Sequence, residues 1–189
     1  MSTNQPTPPP SRLTAQIRPW TGSACRHIPD GSPYGVLDTR FATRARDNRW
    51  NRQGEPTLYL ARDHGVLIAE FARHLQDLRT EEIGRAMLAR RIFDVNLALE
   101  RTLDLRDQQV CATLPLTGAP QCFLDRDVAR ASADFLRRTT AVEALLLPSM
   151  AFLDQPERWI MAIFLEKLPN GIDHFSVAAD GILRHQTQP

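Results

Sequence analysis

Residues 47–75, DNRWNRQGEPTLYLARDHGVLIAEFARHL, decide how the rest of the chain is read. An Arg49–Trp50 pair leads into the turn Asn51–Arg52–Gln53–Gly54. Residues 56–61, PTLYLA, have the apolar content and β propensity of a short buried strand. Asp63 then stands where a helix N-cap belongs, and Leu67, Ile68, Phe71, Leu75 and Leu78 recur at helical spacing behind it. Glu70 sits within that apolar face rather than opposite it, with Leu67 three residues before and His74 four after. So dense a succession of charge, turn, strand and acid-bearing helix reads as one wall of a pocket for an anionic nucleotide.

Working outward, residues 1–18 are polar and proline-rich and predict a flexible, disordered tail, leaving 19–189 as one domain. Structure is expected to start at AQIRPW or SACRHIP, and 32–46 reads as irregular. RRIFDVNLALE alternates Val95, Leu97 and Leu99 and predicts a strand, whereas 106–122, with Pro115, Gly118 and Pro120, reads as loop. DRDVARASADFLRRTT has the acidic start and basic end of a helix. VEALLLPSM and WIMAIFLEKL predict two strands around the turn LDQPE, and HFSVAADG predicts a last one. Strands in succession near the end point to an α+β fold rather than a doubly wound sheet.

At 189 residues and 42% hydrophobic content the chain can bury a real core. A net charge of +1 argues against direct nucleic-acid binding through bulk attraction. The basic residues are nearly all arginine, with Lys167 the only lysine; arginine offers phosphate a planar donor fork, although a GC-rich coding sequence produces the same bias. Cys25, Cys111 and Cys122 are scattered, without CxxC or Cys/His metal-ligand spacing, so no metal site is expected and a reducing compartment is. Neither a signal-peptide pattern nor an apolar run near 18 residues is present; a cytoplasmic protein without a membrane span is the expectation.

Each candidate residue has a plain reading beside a chemical one. Glu70 fits the edge of a core as well as a cleft, and base rates favour the edge. Arg49–Trp50 fits a surface cation–π pair or a phosphate-binding arginine held by a packed indole. Arg26–His27 is a strand-borne pair or an ordinary surface pair. Ser149, after Pro148, suits a hydroxyl satisfying a backbone group at a strand end, and Tyr59 suits a core aromatic with its hydroxyl at the rim. No GxGxxG, Walker loop, HExxH or GxSxG occurs.

Their order is more specific than any one of them. Arg26, Arg49–Trp50–Asn51 with Gly54, Leu58–Tyr59–Leu60, Ala69–Glu70 and Pro148–Ser149 together resemble the RES domain family, the toxin half of bacterial RES–Xre toxin–antitoxin pairs. The resemblance runs over roughly residues 20 to 185 and is strongest in RWNRQGEPTLYLARDHGVLIAE. It implies a compact α+β fold related to ADP-ribosyltransferases and NAD⁺ as substrate rather than bound cofactor. It also implies an Xre-type antitoxin as partner. By position it carries catalytic roles to Glu70 and Ser149 and substrate-binding roles to Arg26, Arg49 and Tyr59. The chain departs from the pattern at Asp47–Asn48, where many members have two glycines, and at Ala61, where a serine is frequent.

The implied reaction suits a lone carboxylate. Nicotinamide in NAD⁺ is already a cationic leaving group, so cleaving its bond to ribose needs no general acid, unlike ordinary glycoside hydrolysis with two carboxylates. Water, phosphate or a protein side chain is the acceptor in a glycohydrolase, a phosphorylase or an ADP-ribosyltransferase respectively. The departures leave a fourth reading, a catalytically impaired module that binds a nucleotide or partner without turnover.

Overall fold

Strand β3 (Arg90–Asp104) is the longest element and organises the others. It alternates buried Val95, Leu97 and Leu99 with exposed Asp94, Asn96, Ala98 and Glu100, the period-two pattern of a strand with one face in a core. The computed structural model describes residues 11–44, 48–76, 89–114, 116–178 and 181–184. Strand β1 (Arg18–Pro29) lies antiparallel along β3, from Arg18 opposite Thr102 to Pro29 opposite Arg90. Strand β4 (Ala144–Pro148) runs parallel to the end of β3, β5 (Trp159–Phe164) returns antiparallel to β4, and β2 (Thr57–Ala61) is antiparallel to β5. Because β1 pairs with β2 as well as β3, the path β1–β2–β5–β4–β3 closes on itself as a five-stranded barrel. The short β6 (Ser176–Val177) and β7 (Ile182–Arg184) extend the other edge of β3.

One apolar cluster draws on all five barrel strands and fills the interior. Ala24, Leu58, Leu60, Val95, Leu97, Leu99, Ala144, Leu146, Met161 and Ile163 belong to it. Alternate residues face outward, where Leu145, Leu147, Ala162 and Phe164 pack with Ala129, Ala133 and Leu136 of a helix laid over the barrel, together with Trp50 and Phe123. Each large side chain buried here stabilises the fold by about 1.5–3 kcal/mol.

That helix, α4 (Arg126–Thr139), follows α1 (Ser11–Thr14), α2 (His64–Gln76) and α3 (Gln108–Thr113). Its start is fixed by Asp125, whose Oδ1 accepts from the N–H groups of Asp127 and Val128 at 2.8 and 3.3 Å. Asp63 does the same for α2, accepting from the Val66 N–H at 2.9 Å. Arg137 ties α4 to the barrel. Buried over the Phe164 ring at 4.0 Å, it donates to Glu166 Oε1 and, at 2.7 Å, to the Thr57 hydroxyl. Among the described residues no helix is long and apolar enough to cross a membrane.

Several expectations need amending. The supposed loop 106–122 holds α3 and a 3₁₀ turn at Gln121–Leu124, both too short for periodicity to register. Ile68 is 47% exposed, so the apolar stripe of α2 is narrower than its sequence spacing implied. The last strand shrinks to β6, with β7 after it. Order begins before residue 19, since α1 is helical and Leu13 is fully buried against Val110 and the outer cluster. Residues 1–10, Asp47, Leu78 and Pro115 lie outside the described residues.

Candidate active site

The barrel closes unevenly. Along its seam β1 meets β2 at a single register pair, Cys25 opposite Ala61, and beyond it the two strands part. Extending the antiparallel register would set His27 against Tyr59; instead a cavity of about 460 Å³ opens there, lined by both. Strand alternation puts His27, Tyr59 and Ala61 on the side covered by α2, and Arg26 on the other.

Helix α2 carries the acid into this cleft. Its N-terminal turn is anchored by buried Val66 and Leu67 against Cys25, Ala61 and Ile92, so the next turn presents Glu70, Phe71 and His74 to the opening. Glu70 Oε1 accepts from the Ser149 hydroxyl at 2.5 Å and from the Ala151 N–H at 3.0 Å. Ser149 is fully buried at the end of β4, with its own N–H donated to the Arg158 carbonyl at 3.1 Å. Both bonds fall on one carboxylate oxygen, Oε1, so Ser149 and the Ala151 N–H tether a side chain that lines the cleft. Glu70 is the only carboxylate among the described residues that line it.

The turn before β2 supplies the opposite wall. Gly54, with φ of +94°, allows the reversal, and the buried Asn51 side chain donates to the Arg52 carbonyl at 2.9 Å. Asn51 Oδ1 in turn accepts from the Tyr59 hydroxyl at 2.7 Å, so the phenol is held by its tip and its ring flanks the cleft. Burial raises the Tyr59 pKa, so it stays a neutral donor. Trp50 is buried edge-on against Phe123, with ring centroids 4.9 Å apart. This sets neighbouring Arg49 at the cleft wall, where one guanidinium nitrogen donates to the Phe123 and Leu124 carbonyls at 2.7 Å each.

Arg26 is not in this cavity. It lines an adjoining one of about 290 Å³ with Tyr34, Asp38 and Phe41, which shares Asn48 and Tyr59 with the first, and it donates to the Val36 carbonyl. Burial lowers its pKa and Asp38 opposes that shift; the guanidinium remains a cation. The structure therefore brings Arg49, Tyr59 and Glu70 together, sets Ser149 directly behind Glu70, and places Arg26 next door.

Arg90, Phe71 and His27 also line the cleft, without a role assigned from sequence. Arg90, at the start of β3, holds its guanidinium 4.5 Å from the centroid of Phe71, whose ring also meets the His27 imidazole edge-on at 4.6 Å. Burial, then Arg90, Arg26 and His74, pushes the His27 pKa down to about 4, so the ring is neutral at physiological pH. Its Nδ1 is buried without a hydrogen-bond partner. Strand alternation alone would have put His27 on the opposite face from Arg26; nothing local marks Arg90, which arrives through the long-range β1–β3 pairing. Among the described residues the only metal-capable trio is Cys25, His64 and Asp94, none of which lines either cavity.

The fold is an α+β barrel split along one seam, whose cleft is lined by a serine-held carboxylate and by Arg49 and Arg90. The RES domain profile matches residues 24–184, and the chain belongs to the RES domain family. Among solved structures it is similar in fold to the toxin of the M. tuberculosis MbcT–MbcA toxin–antitoxin complex. The TM-score is 0.66 at 17% identity, over 92% of this chain and 90% of that one. No curated protein sequence matches it significantly.

Proposed function

We propose that the chain is the toxin of a toxin–antitoxin pair and acts by cleaving the nicotinamide–ribose bond of NAD⁺. The observation that carries this reading is the Glu70–Ser149 pair at the head of a cleft otherwise rich in cationic and neutral side chains. NAD⁺ combines a pyrophosphate anion with a cationic nicotinamide-ribose end. Arg49 and Arg90 on the walls of the main cavity and Arg26 in the adjoining one suit the former, and one oriented carboxylate suits the latter.

In the reaction the C1′–N bond breaks and nicotinamide leaves as a neutral molecule with the bonding pair. Positive charge develops on the ribose C1′ and ring oxygen. Glu70, through Oε2, accepts a hydrogen bond from a ribose hydroxyl and stabilises that charge, while Ser149 holds Oε1 still. The Tyr59 ring shapes the nicotinamide–ribose end. An acceptor oxygen then bonds C1′ and releases its proton; water gives ADP-ribose, phosphate a phosphorylated ADP-ribose, and a protein side chain a modified target.

The antitoxin belongs to the same proposal. A helix-turn-helix protein of the Xre type, bound over the cleft mouth, would silence the enzyme by excluding NAD⁺. The test is nicotinamide release from NAD⁺ by the purified protein and by Glu70→Ala, with and without phosphate. Release by the wild type alone supports the assignment, and phosphate dependence separates phosphorolysis from hydrolysis. NAD⁺ binding without release from folded wild type would instead support the non-catalytic module that Asn48, in place of a glycine at the junction of the two cavities, also allows.

A further inference from the structure

We propose that Cys25, His64 and Asp94 form a zinc-type divalent metal site that clamps β1, β3 and α2 together at the barrel seam. The ligand atoms come from three elements far apart in sequence, yet one from each residue lies within 4.8 Å of the other two. His64 Nε2 is 3.2 Å from Asp94 Oδ1. A tetrahedral zinc with usual bond lengths separates its ligands by about 3.3–3.6 Å, so the pair is already spaced for it and the thiol needs only a small approach.

The donor chemistry points the same way. One sulfur, one imidazole nitrogen and one carboxylate oxygen make a set suited to zinc and poorly suited to magnesium or calcium, which select oxygen alone. The layout also gives the ion a route in. Cys25 is 1% exposed at the floor, whereas the His64 and Asp94 side chains are 26% and 49% exposed above it. Without metal the thiol donates to the Ala61 carbonyl at 3.3 Å. On binding, the thiol proton passes to solvent, the S–metal bond replaces the S–H bond, and His64 ligates through Nε2 as neutral imidazole. A water or the Ala61 carbonyl completes four ligands.

The position gives the ion a purpose. Cys25 is half of the one register pair that closes β1 onto β2, and His64 opens the helix that presents Glu70 six residues later. Metal there would fix that helix against the seam without entering either cavity, so the inference stands apart from the proposed NAD⁺ chemistry.

The test is calorimetric titration of the chelator-treated full-length protein with zinc, beside His64→Ala and Asp94→Asn, partly exposed positions whose replacement leaves the core intact. One equivalent should bind saturably and raise the thermal midpoint, and each variant should weaken binding at least tenfold. Cobalt(II) should give a thiolate-to-metal charge-transfer band that Cys25→Ser removes. Absence of saturable binding to folded wild type, or equal binding by both surface variants, overturns the site.

Discussion

The Ser149 hydroxyl and the Glu70 carboxylate are 79 residues apart in the chain and 2.5 Å apart in space. Their contact joins the end of β4 to the middle of α2 and tethers the one acid among the described residues that line the cleft. Truncating the acid and truncating its support should therefore fail differently. Glu70→Gln should lower kcat for nicotinamide release by about 10²–10³-fold. Ser149→Ala should lower it by about tenfold with KM little changed, because the carboxylate remains but turns more freely. Steady-state kinetics with NAD⁺ checks both; equal losses would mean that Ser149 acts on the substrate itself.

Arg49→Ala should raise KM by about tenfold and also cost about 1–2 kcal/mol of stability, because the same guanidinium holds the Phe123 and Leu124 carbonyls. Arg49→Lys should recover more of the stability than of the substrate affinity, since one ammonium nitrogen can serve both carbonyls but lacks the planar fork that phosphate takes. Kinetics paired with denaturant unfolding separates the two effects.

His27 makes stability depend on acidity. Its folded pKa of about 4 lies below the unfolded value of about 6.5, so in between the unfolded chain binds the proton and the folded chain does not. Its contribution is therefore complete above about pH 6.5 and disappears as pH falls toward 4, by on the order of 2–3 kcal/mol. His27→Phe keeps a ring against Phe71 and should flatten that part of the profile. Unfolding midpoints across pH 4–7 for both proteins give the answer.

Much of the scaffold was legible because its signals are local. The Asp63 cap, the TLYLA strand, the alternation of Val95, Leu97 and Leu99, and the β4–turn–β5 unit each show within a dozen residues. Ring closure does not, since it depends on β1 lying along β3 some 70 residues away, and the cleft exists because that ring closes badly. Hence Arg90 gave no local sign. Glu70, Arg49, Tyr59, Arg26 and Ser149 could be named only through their order in a family pattern, because each alone has an ordinary structural reading, as a serine after Pro148 suggests a strand end.

Arg137→Ala should destabilise the protein by about 2–4 kcal/mol, removing a charge-assisted bond to the buried Thr57 hydroxyl, the ion pair with Glu166 and the cation stacked on Phe164. NAD⁺ turnover by the fraction still folded should be close to normal, because Arg137 lines neither cavity. Chemical denaturation together with activity normalised to folded protein tests this.

A ring of strands resists deformation only as well as its weakest joint, and here that joint is one residue pair wide, Cys25 with Ala61. Separating β1 from β3 means undoing a ladder that runs the length of both strands, whereas separating β1 from β2 means undoing one rung. In hydrogen-exchange terms, the amides around that rung should open by local fluctuation on a timescale independent of global unfolding. Those along β3 should exchange only when the whole domain comes apart. The gap beside the rung thus has compliant jaws on a rigid frame, and its width can follow its contents without disturbing the core.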